Sequence, residues 1–345
     1  MINLTGHRIL ITGHSGFKGQ WLAQLLHELG AEVFGTDIEL APDRFFVDPS
    51  IFLRSEHIDI RDQENLKRFI LEVRPNSIFH FAAQSIVSEA IENPLETWST
   101  NVLGTINLLK IVEDANFLED LIIASTDKVY ANPEMPTGNT EENDLKGQEH
   151  YSSSKVAMES AVSSEVLNKE LKIRIAIVRS GNVIGGGDFH FTRLLPAVAK
   201  SISKGERLQI RNFSGVRPWL HVLDSLWGYL LISQHRLSEN TPPSIWNVGP
   251  ELDEHLTTSQ ILEESKILYP EFSYSSGKAS LYYETEVLHL DSSKISQVLG
   301  WKPAFTTSES IEKTLTWYLS SEDKWRQTKN QVLEYIRKQD LLVAE

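Results

Sequence analysis

The sequence predicts an α/β protein, a doubly wound parallel sheet with a smaller C-terminal lobe. Three observations carry that prediction. Apolar strand-like runs alternate with amphipathic helix-like segments through the first half, as in successive βαβ units. A turn with regularly spaced glycines joins the first strand to the first helix. The length of 345 residues, with 41% apolar and 23% charged content, suits a soluble globular chain of about two domains.

His7 to Thr12 opens the sheet through Ile9, Leu10 and Ile11. The next helix carries Trp21, Leu22, Leu25, Leu26 and Leu29 on one face, and Gly30 stops it. Glu32 to Thr36 forms a second strand ending at Asp37. Ile58 to Ile60 reads as a short third strand. Asp62 to Val73 reads as a helix with Leu66, Phe69, Ile70 and Val73 inward, ended by Pro75. Ser77 to Ala82 is the fourth strand, Trp98 to Asp114 a long helix and Leu121 to Ser125 the fifth strand. Ser152 to Lys169 is again helical, and Ile173 to Val178 makes the sixth strand.

Gly185, Gly186 and Gly187 end the alternation. Pro133 to Asn143 and Leu237 to Ser244 read as exposed loops, and Ser320 to Glu345 as a charged helix. The expected division is a sheet domain over 1–180 and a lobe over 181–345, with a segment around 218–250 rejoining the sheet.

Composition narrows the function classes. Lys and Arg number 33 against 47 Asp and Glu, a net charge of −14, which argues against a nucleic-acid partner. There is no cysteine, so disulfides, thiolate-held metals and thiol nucleophiles are excluded. No apolar run approaches the ~18 residues of a membrane span, and no His, Asp and Glu grouping has metal-ligand spacing. The first residues enter a strand without a signal-peptide pattern, so a reducing cytoplasmic setting is expected.

Gly13, Gly16 and Gly19 recur every three residues where the first strand meets the first helix. Gly13 and Gly16 let the backbone, including Ser15 and Phe17, approach a pyrophosphate. Gly19 lets the helix sit close to the sheet, with its N-terminus toward the phosphates. Asp37, at the end of the second strand, suits a ribose 2′-hydroxyl and repels a 2′-phosphate, which favours NAD over NADP. Asp59 and Ile60 are placed to flank the adenine.

The fifth strand runs into Ser125-Thr126-Asp127-Lys128, and the following helix opens with Tyr151 and Lys155. An i, i+4 pair shares a helix face, so Tyr151 and Lys155 address one ligand. The lysine ammonium and an oxidised nicotinamide are together expected to draw the phenol toward neutrality and make it a general base for alcohol oxidation. Asn182 and the guanidinium groups of Arg193, Arg211 and Arg217 are candidates for a substrate diphosphate. Ser85, near the expected nicotinamide edge, is a candidate substrate contact. His80, His190 and His221 are read as structural, and Trp219, Trp246 and Trp301 as core.

These runs, with His80-Phe81-Ala82-Ala83-Gln84, Thr100-Asn101-Val102-Leu103-Gly104-Thr105 and Arg217-Pro218-Trp219, resemble the extended short-chain dehydrogenase/reductase family of nucleotide-sugar epimerases and dehydratases. The resemblance spans nearly the whole chain and implies a Rossmann fold with NAD as cofactor. Ala82, Ala83, Gln84, Asn101 and Ser125 join the cofactor site by the same likeness. Thr126-Asp127-Lys128, Ser180 to Asp188, Arg217 to Val222, Trp246 to Pro250 and Leu299 to Pro303 are most similar to the 4,6-dehydratase branch.

The likeness implies that Tyr151, with Thr126 and Lys155, removes the C4 hydroxyl proton, that Lys128 removes the C5 proton, and that Asp127 protonates the departing C6 hydroxyl. A CDP-hexose is the first substrate expected; GDP-, UDP- and dTDP-linked sugars stay open. A homodimer through the helices at 98–114 and 152–169 is also implied. Two other readings stand beside this one, a nucleotide-sugar 4-epimerase and a non-catalytic NAD-sensing protein.

Overall fold

The computed structural model describes residues 2–38, 44–132, 134–168, 173–235, 243–277 and 285–344. Most of the loop expected at Leu237 to Ser244 lies outside them, as do Pro133, Lys169 and Glu345. The sheet domain comprises β1 (Arg8–Thr12), α1 (Phe17–Glu28), β2 (Glu32–Asp37), β3 (Phe52–His57), α2 (Gln63–Val73) and β4 (Ser77–His80). It continues through α3 (Val87–Glu92), α4 (Pro94–Trp98), a π-helical turn at Ser99–Gly104, α5 (Thr105–Val112), β5 (Asp120–Thr126), α6 (His150–Asn168) and β6 (Arg174–Ser180).

The remainder holds β7 (Asn182–Ile184), α7 (Leu194–Lys204), β8 (Leu208–Ile210), β9 (Val216–Arg217), β10 (Trp219–His221) and α8 (Val222–Gln234). Then come β11 (Ser244–Val248), β12 (Leu256–Thr257), α9 (Thr258–Leu268), β13 (Tyr274–Ser276), α10 (Ser293–Leu299), α11 (Thr307–Leu319) and α12 (Lys324–Ala344).

The main sheet is parallel and ordered β11-β6-β5-β4-β1-β2-β3. The order reverses between β1 and β4, which opens a crevice at their carboxyl ends. Side chains alternate along each strand. Ile9, Ile11, Val33, Phe79 and Val178 therefore pack on one face with Trp21, Leu25, Tyr229 and Tyr335. Leu10, Phe34, Ile78, Ile123 and Ile177 pack on the other with Phe69, Leu108 and Met158. A separate core under α7, α9 and α11 holds the lobe together.

Two elements differ from expectation. The third strand is Phe52–His57, and Ile58 to Ile60 leave the sheet after it. Of this edge strand only Phe52 is buried: Arg54 and Glu56 form ion pairs across to α2, so no apolar run marks it. The helix expected at Trp98 to Asp114 begins earlier, at Pro94, and is interrupted by the π turn around Asn101. The charged C-terminal helix packs on α1 and α8, with Tyr335 against Trp227.

Candidate active site

The carboxyl ends of β1, β2, β4, β5 and β6 face a cleft of about 1300 Å³. At its floor, Gly13 has φ +78°, and a Cβ there would stand 2.6 Å from the Ala82 nitrogen. A Cβ on Gly19 would stand 2.2 Å from the Gly13 carbonyl oxygen, so α1 reaches this closeness only without a side chain there. Gly16 is the N-cap of α1 and offers no side chain to the amides of the first turn. Those amides and the helix dipole are left for an anion, and an NAD pyrophosphate fits this cradle. Ser15 and Phe17 line the same floor.

Asp37 Oδ2 accepts from the Ser15 backbone nitrogen at 3.1 Å and its hydroxyl at 2.7 Å, so the carboxylate braces the glycine loop while lining the cleft. Asp59 and Ile60 line the cleft at the same end. Asp59 is bonded to Arg61 at 2.6 Å, and Arg61 holds its carboxyl below the usual range.

Ala82, Ala83, Gln84 and Ser85 follow β4 along the opposite side. Asn101, expected to touch the cofactor, does not line the cleft: it is buried and its amide is saturated by the chain. Nδ2 donates to the Gln84 carbonyl at 3.0 Å and to Ser154 Oγ at 2.9 Å, and Oδ1 accepts from the Gln84 nitrogen. Asn101 thus clamps the loop after β4 to α6. Ser125 borders the cleft, but its hydroxyl is committed to Glu159 at 2.5 Å.

The reactive side chains converge at the ends of β5 and α6. β5 delivers Thr126, which caps a single 3-10 turn over Asp127–Val129 by accepting from the Lys128 nitrogen. Glu149 caps α6, accepting from the Tyr151 nitrogen at 2.6 Å and the Ser152 nitrogen at 2.9 Å. Tyr151 and Lys155 then follow one turn apart, and both line the cleft with Thr126, Asp127 and Lys128.

Burial pulls the Lys155 ammonium down to about 8, opposed by Glu159, and Nζ donates to the Ala124 carbonyl at 2.9 Å. Burial raises the Asp127 carboxyl above its usual range against the pull of Lys128, and Asp127 Oδ2 has no hydrogen-bond partner. Those are the conditions for a proton donor. Burial pushes the Tyr151 phenol up to about 12 in the chain by itself, while Thr126 and Arg193 draw it down. The oxidised nicotinamide, the second positive charge expected to favour the phenolate, would add to that pull with the cofactor in place.

On the lobe side, Asn182 begins β7 and lines the cleft. Arg193 caps α7 in sequence and pairs with Asp188 at 2.7 Å. Arg211 lies exposed on the rim. Arg217 lines the cleft, but its guanidinium donates to the carbonyls of Val216, Thr285 and Glu286. His80 bridges Thr12 and Thr105, and His221 Nδ1 accepts from the Leu223 nitrogen; both are structural. His190 instead lines the cleft. Trp219, Trp246 and Trp301 are buried.

Among the described residues no group of three or more His, Asp or Glu is placed to hold a metal, and no helix is long and apolar enough to cross a membrane. Lys18, Arg44 and Arg61 also line the cleft. The glycine spacing that marks Ser15 and Phe17 gives no signal for Lys18 in the same run. Among the described residues eight Lys and Arg against seven Asp and Glu line the cleft, a balance that the acidic surplus of the whole chain does not share.

A dinucleotide cradle joined to a Tyr-x-x-x-Lys pair defines a dehydrogenase-type enzyme of the short-chain class. The model of the NAD dependent epimerase/dehydratase family matches residues 9–249, and the chain belongs to that family. It is 35% identical over 346 residues to CDP-glucose 4,6-dehydratase of Salmonella typhimurium strain LT2, covering 96% of each chain. Its fold matches UDP-glucose 4-epimerase of Thermus thermophilus in complex with NAD at TM-score 0.78 and 25% identity, covering 91% of this chain and all of that one. The fold also matches dTDP-glucose 4,6-dehydratase of Bacillus anthracis strain Ames in complex with NAD, at TM-score 0.76 and 22% identity, covering 94% of this chain and all of that one.

Proposed function

We propose that this chain is an NAD-dependent sugar-nucleotide 4,6-dehydratase that converts CDP-glucose to CDP-4-keto-6-deoxyglucose. The observation that carries the reading is the buried Asp127 carboxyl, its Oδ2 unpartnered, beside Lys128 in the same cleft as Tyr151 and Lys155. An epimerase needs one base for one alcohol; loss of water needs a second acid and base. The 35% likeness to a CDP-glucose 4,6-dehydratase along nearly the whole chain supports the same choice.

Bound NAD supplies the acceptor that takes the C4 hydride and returns it to C6. Tyr151, oriented by Thr126, takes the C4 hydroxyl proton as its phenolate, a form that the Lys155 ammonium and the positive charge of the oxidised cofactor would favour against burial. The C4 ketone acidifies the C5 hydrogen, which Lys128 removes at Nζ in its neutral form; after exchange with solvent a proton goes back to C5 as the hydride reaches C6. Asp127, held protonated by burial, donates from its carboxyl to the departing C6 hydroxyl. The glycine-loop amides hold the cofactor diphosphate; Asn182, Arg193, Arg211 and Arg217 hold the substrate diphosphate. The chain works in the cytoplasm as a homodimer joined through α4 to α6, where Leu95, Leu103 and Leu167 are exposed.

Incubation with CDP-glucose in deuterated water tests the reading. A 4-keto-6-deoxy product carrying solvent deuterium at C5 is expected, ahead of UDP-, GDP- and dTDP-glucose. Recovery of an unlabelled C4 epimer would establish the epimerase instead, and no turnover on any of the four would leave a binding protein.

A further inference from the structure

Lys18 is the second residue of α1, yet its side chain reaches beyond the phosphate loop into the reactive corner of the cleft. Its Nζ lies 5.5 Å from the centroid of the Tyr229 ring, and Tyr229 packs edge-on against Phe81 at the exit of β4. The charged groups near enough to act on it are Arg193, Lys155 and Asp127. Among the described residues no carboxylate forms an ion pair with Lys18, so its charge is left for a ligand.

The register of the fold indicates which part of the ligand it meets. A doubly wound sheet lays a dinucleotide across its carboxyl edge with the pyrophosphate on the first βα turn. Asp37 marks the adenosine side, at the end of β2. The nicotinamide half then falls over β4, β5 and β6, the ends that carry Phe81, Asp127 and Ser180, and Lys18 stands among them with Tyr229. We propose that Lys18 places a positive charge beside the nicotinamide half of the cofactor, where it disfavours the oxidised ring relative to the reduced one.

The physical argument is a charge balance. The oxidised ring is a cation; a hydride, one proton with two electrons, leaves the sugar carbon and neutralises it. A neighbouring ammonium raises the free energy of the oxidised form and leaves the neutral reduced form nearly untouched. Lys18 thereby favours the first oxidation, in which the sugar must give up its hydride. Burial, Arg193 and Lys155 pull the ammonium down to about 7, consistent with a cation crowded by cations. The inference rests on NAD as cofactor and is independent of which sugar nucleotide is turned over.

The test is the affinity for NAD+ and NADH at pH 6, measured by calorimetry on chain freed of bound dinucleotide. Replacing Lys18 by Met should lower the ratio Kd(NAD+)/Kd(NADH) roughly tenfold, and Lys18→Arg should keep it. Equal weakening of both forms would make Lys18 a phosphate contact and overturn the proposal, as would an unchanged ratio in Lys18→Met. If Lys18→Met does not fold, Lys18→Gln carries the same expectation. Absence of binding by the unaltered chain would overturn the cofactor reading itself.

Discussion

Replacing Glu159 by Gln tests how the catalytic helix is held. Glu159 lies one turn beyond Lys155 on α6, and its carboxylate faces Arg179 on β6; both side chains are almost fully buried. Arg179 Nη2 meets Glu159 Oε2 at 2.6 Å and Nε meets both oxygens at 3.2 Å, while Nη1 reaches Tyr130 Oη at 3.0 Å. Removing one partner strands the other charge in the core, at a cost of about 3–5 kcal/mol. Thermal unfolding should show the melting temperature falling by about 5–10 °C. The double variant with Arg179→Met should recover part of the loss, since no charge is then unpaired.

A second readout separates positioning from bulk stability. Lys155 is protonated below about 8, and Glu159 is what raises it against burial. Without that carboxylate, the alkaline limb of kcat/KM should move to lower pH. A loss under about 1 kcal/mol with an unmoved alkaline limb would refute the assignment.

Lys128→Met should abolish C5 deuterium incorporation while NADH still appears on mixing with substrate; wild-type elimination would remove Lys128 from the mechanism. Gly19→Ala drives a Cβ into the Gly13 carbonyl and should weaken NAD binding at least about tenfold by calorimetry. Asp224 is fully buried with Oδ2 unpartnered, and burial pushes its carboxyl up to about 7. The folded state therefore binds more protons from about pH 4 to 7, so this group's stabilisation is complete below that window and lost as pH rises through it. Asp224→Asn should flatten the decline in urea stability between pH 5 and 8, with a residual slope from Asp120, whose carboxyl is raised likewise. The proposed homodimer predicts that Leu103→Glu on the exposed helix face shifts sedimentation from dimer to monomer; a monomeric unaltered chain or an unchanged dimer would overturn that interface.

Much of the architecture is written in short-range pattern. A helix with Trp21, Leu22, Leu25 and Leu26 on one side has one face to bury, and the four prove fully buried. Gly13 and Gly19 determined the tight loop, because a Cβ at either would stand under 3 Å from backbone atoms. Asp62 before an amphipathic run determined a helix start, and its side chain accepts from the Asn65 nitrogen as an N-cap does. Tyr151 and Lys155 share a face because an α-helix returns every 3.6 residues.

Other features depended on partners far along the chain. Tyr130 donates to Asn247 across 117 residues, and Glu159 meets Arg179 on a neighbouring strand. The Asn101 amide, expected to meet the cofactor, is used by Gln84 and Ser154 instead. The edge strand β3 carries no apolar run in the sequence because its polar side chains pair with α2. The sequence by itself determined which segments are helix, strand and phosphate loop, through local periods and glycine sterics. Only the tertiary structure decided the depth of burial, and burial is what raises Tyr151 and Asp127 and lowers Lys155 and Lys18. A pKa answers to the loss of water around a group, and that loss is set by every element that closes over it.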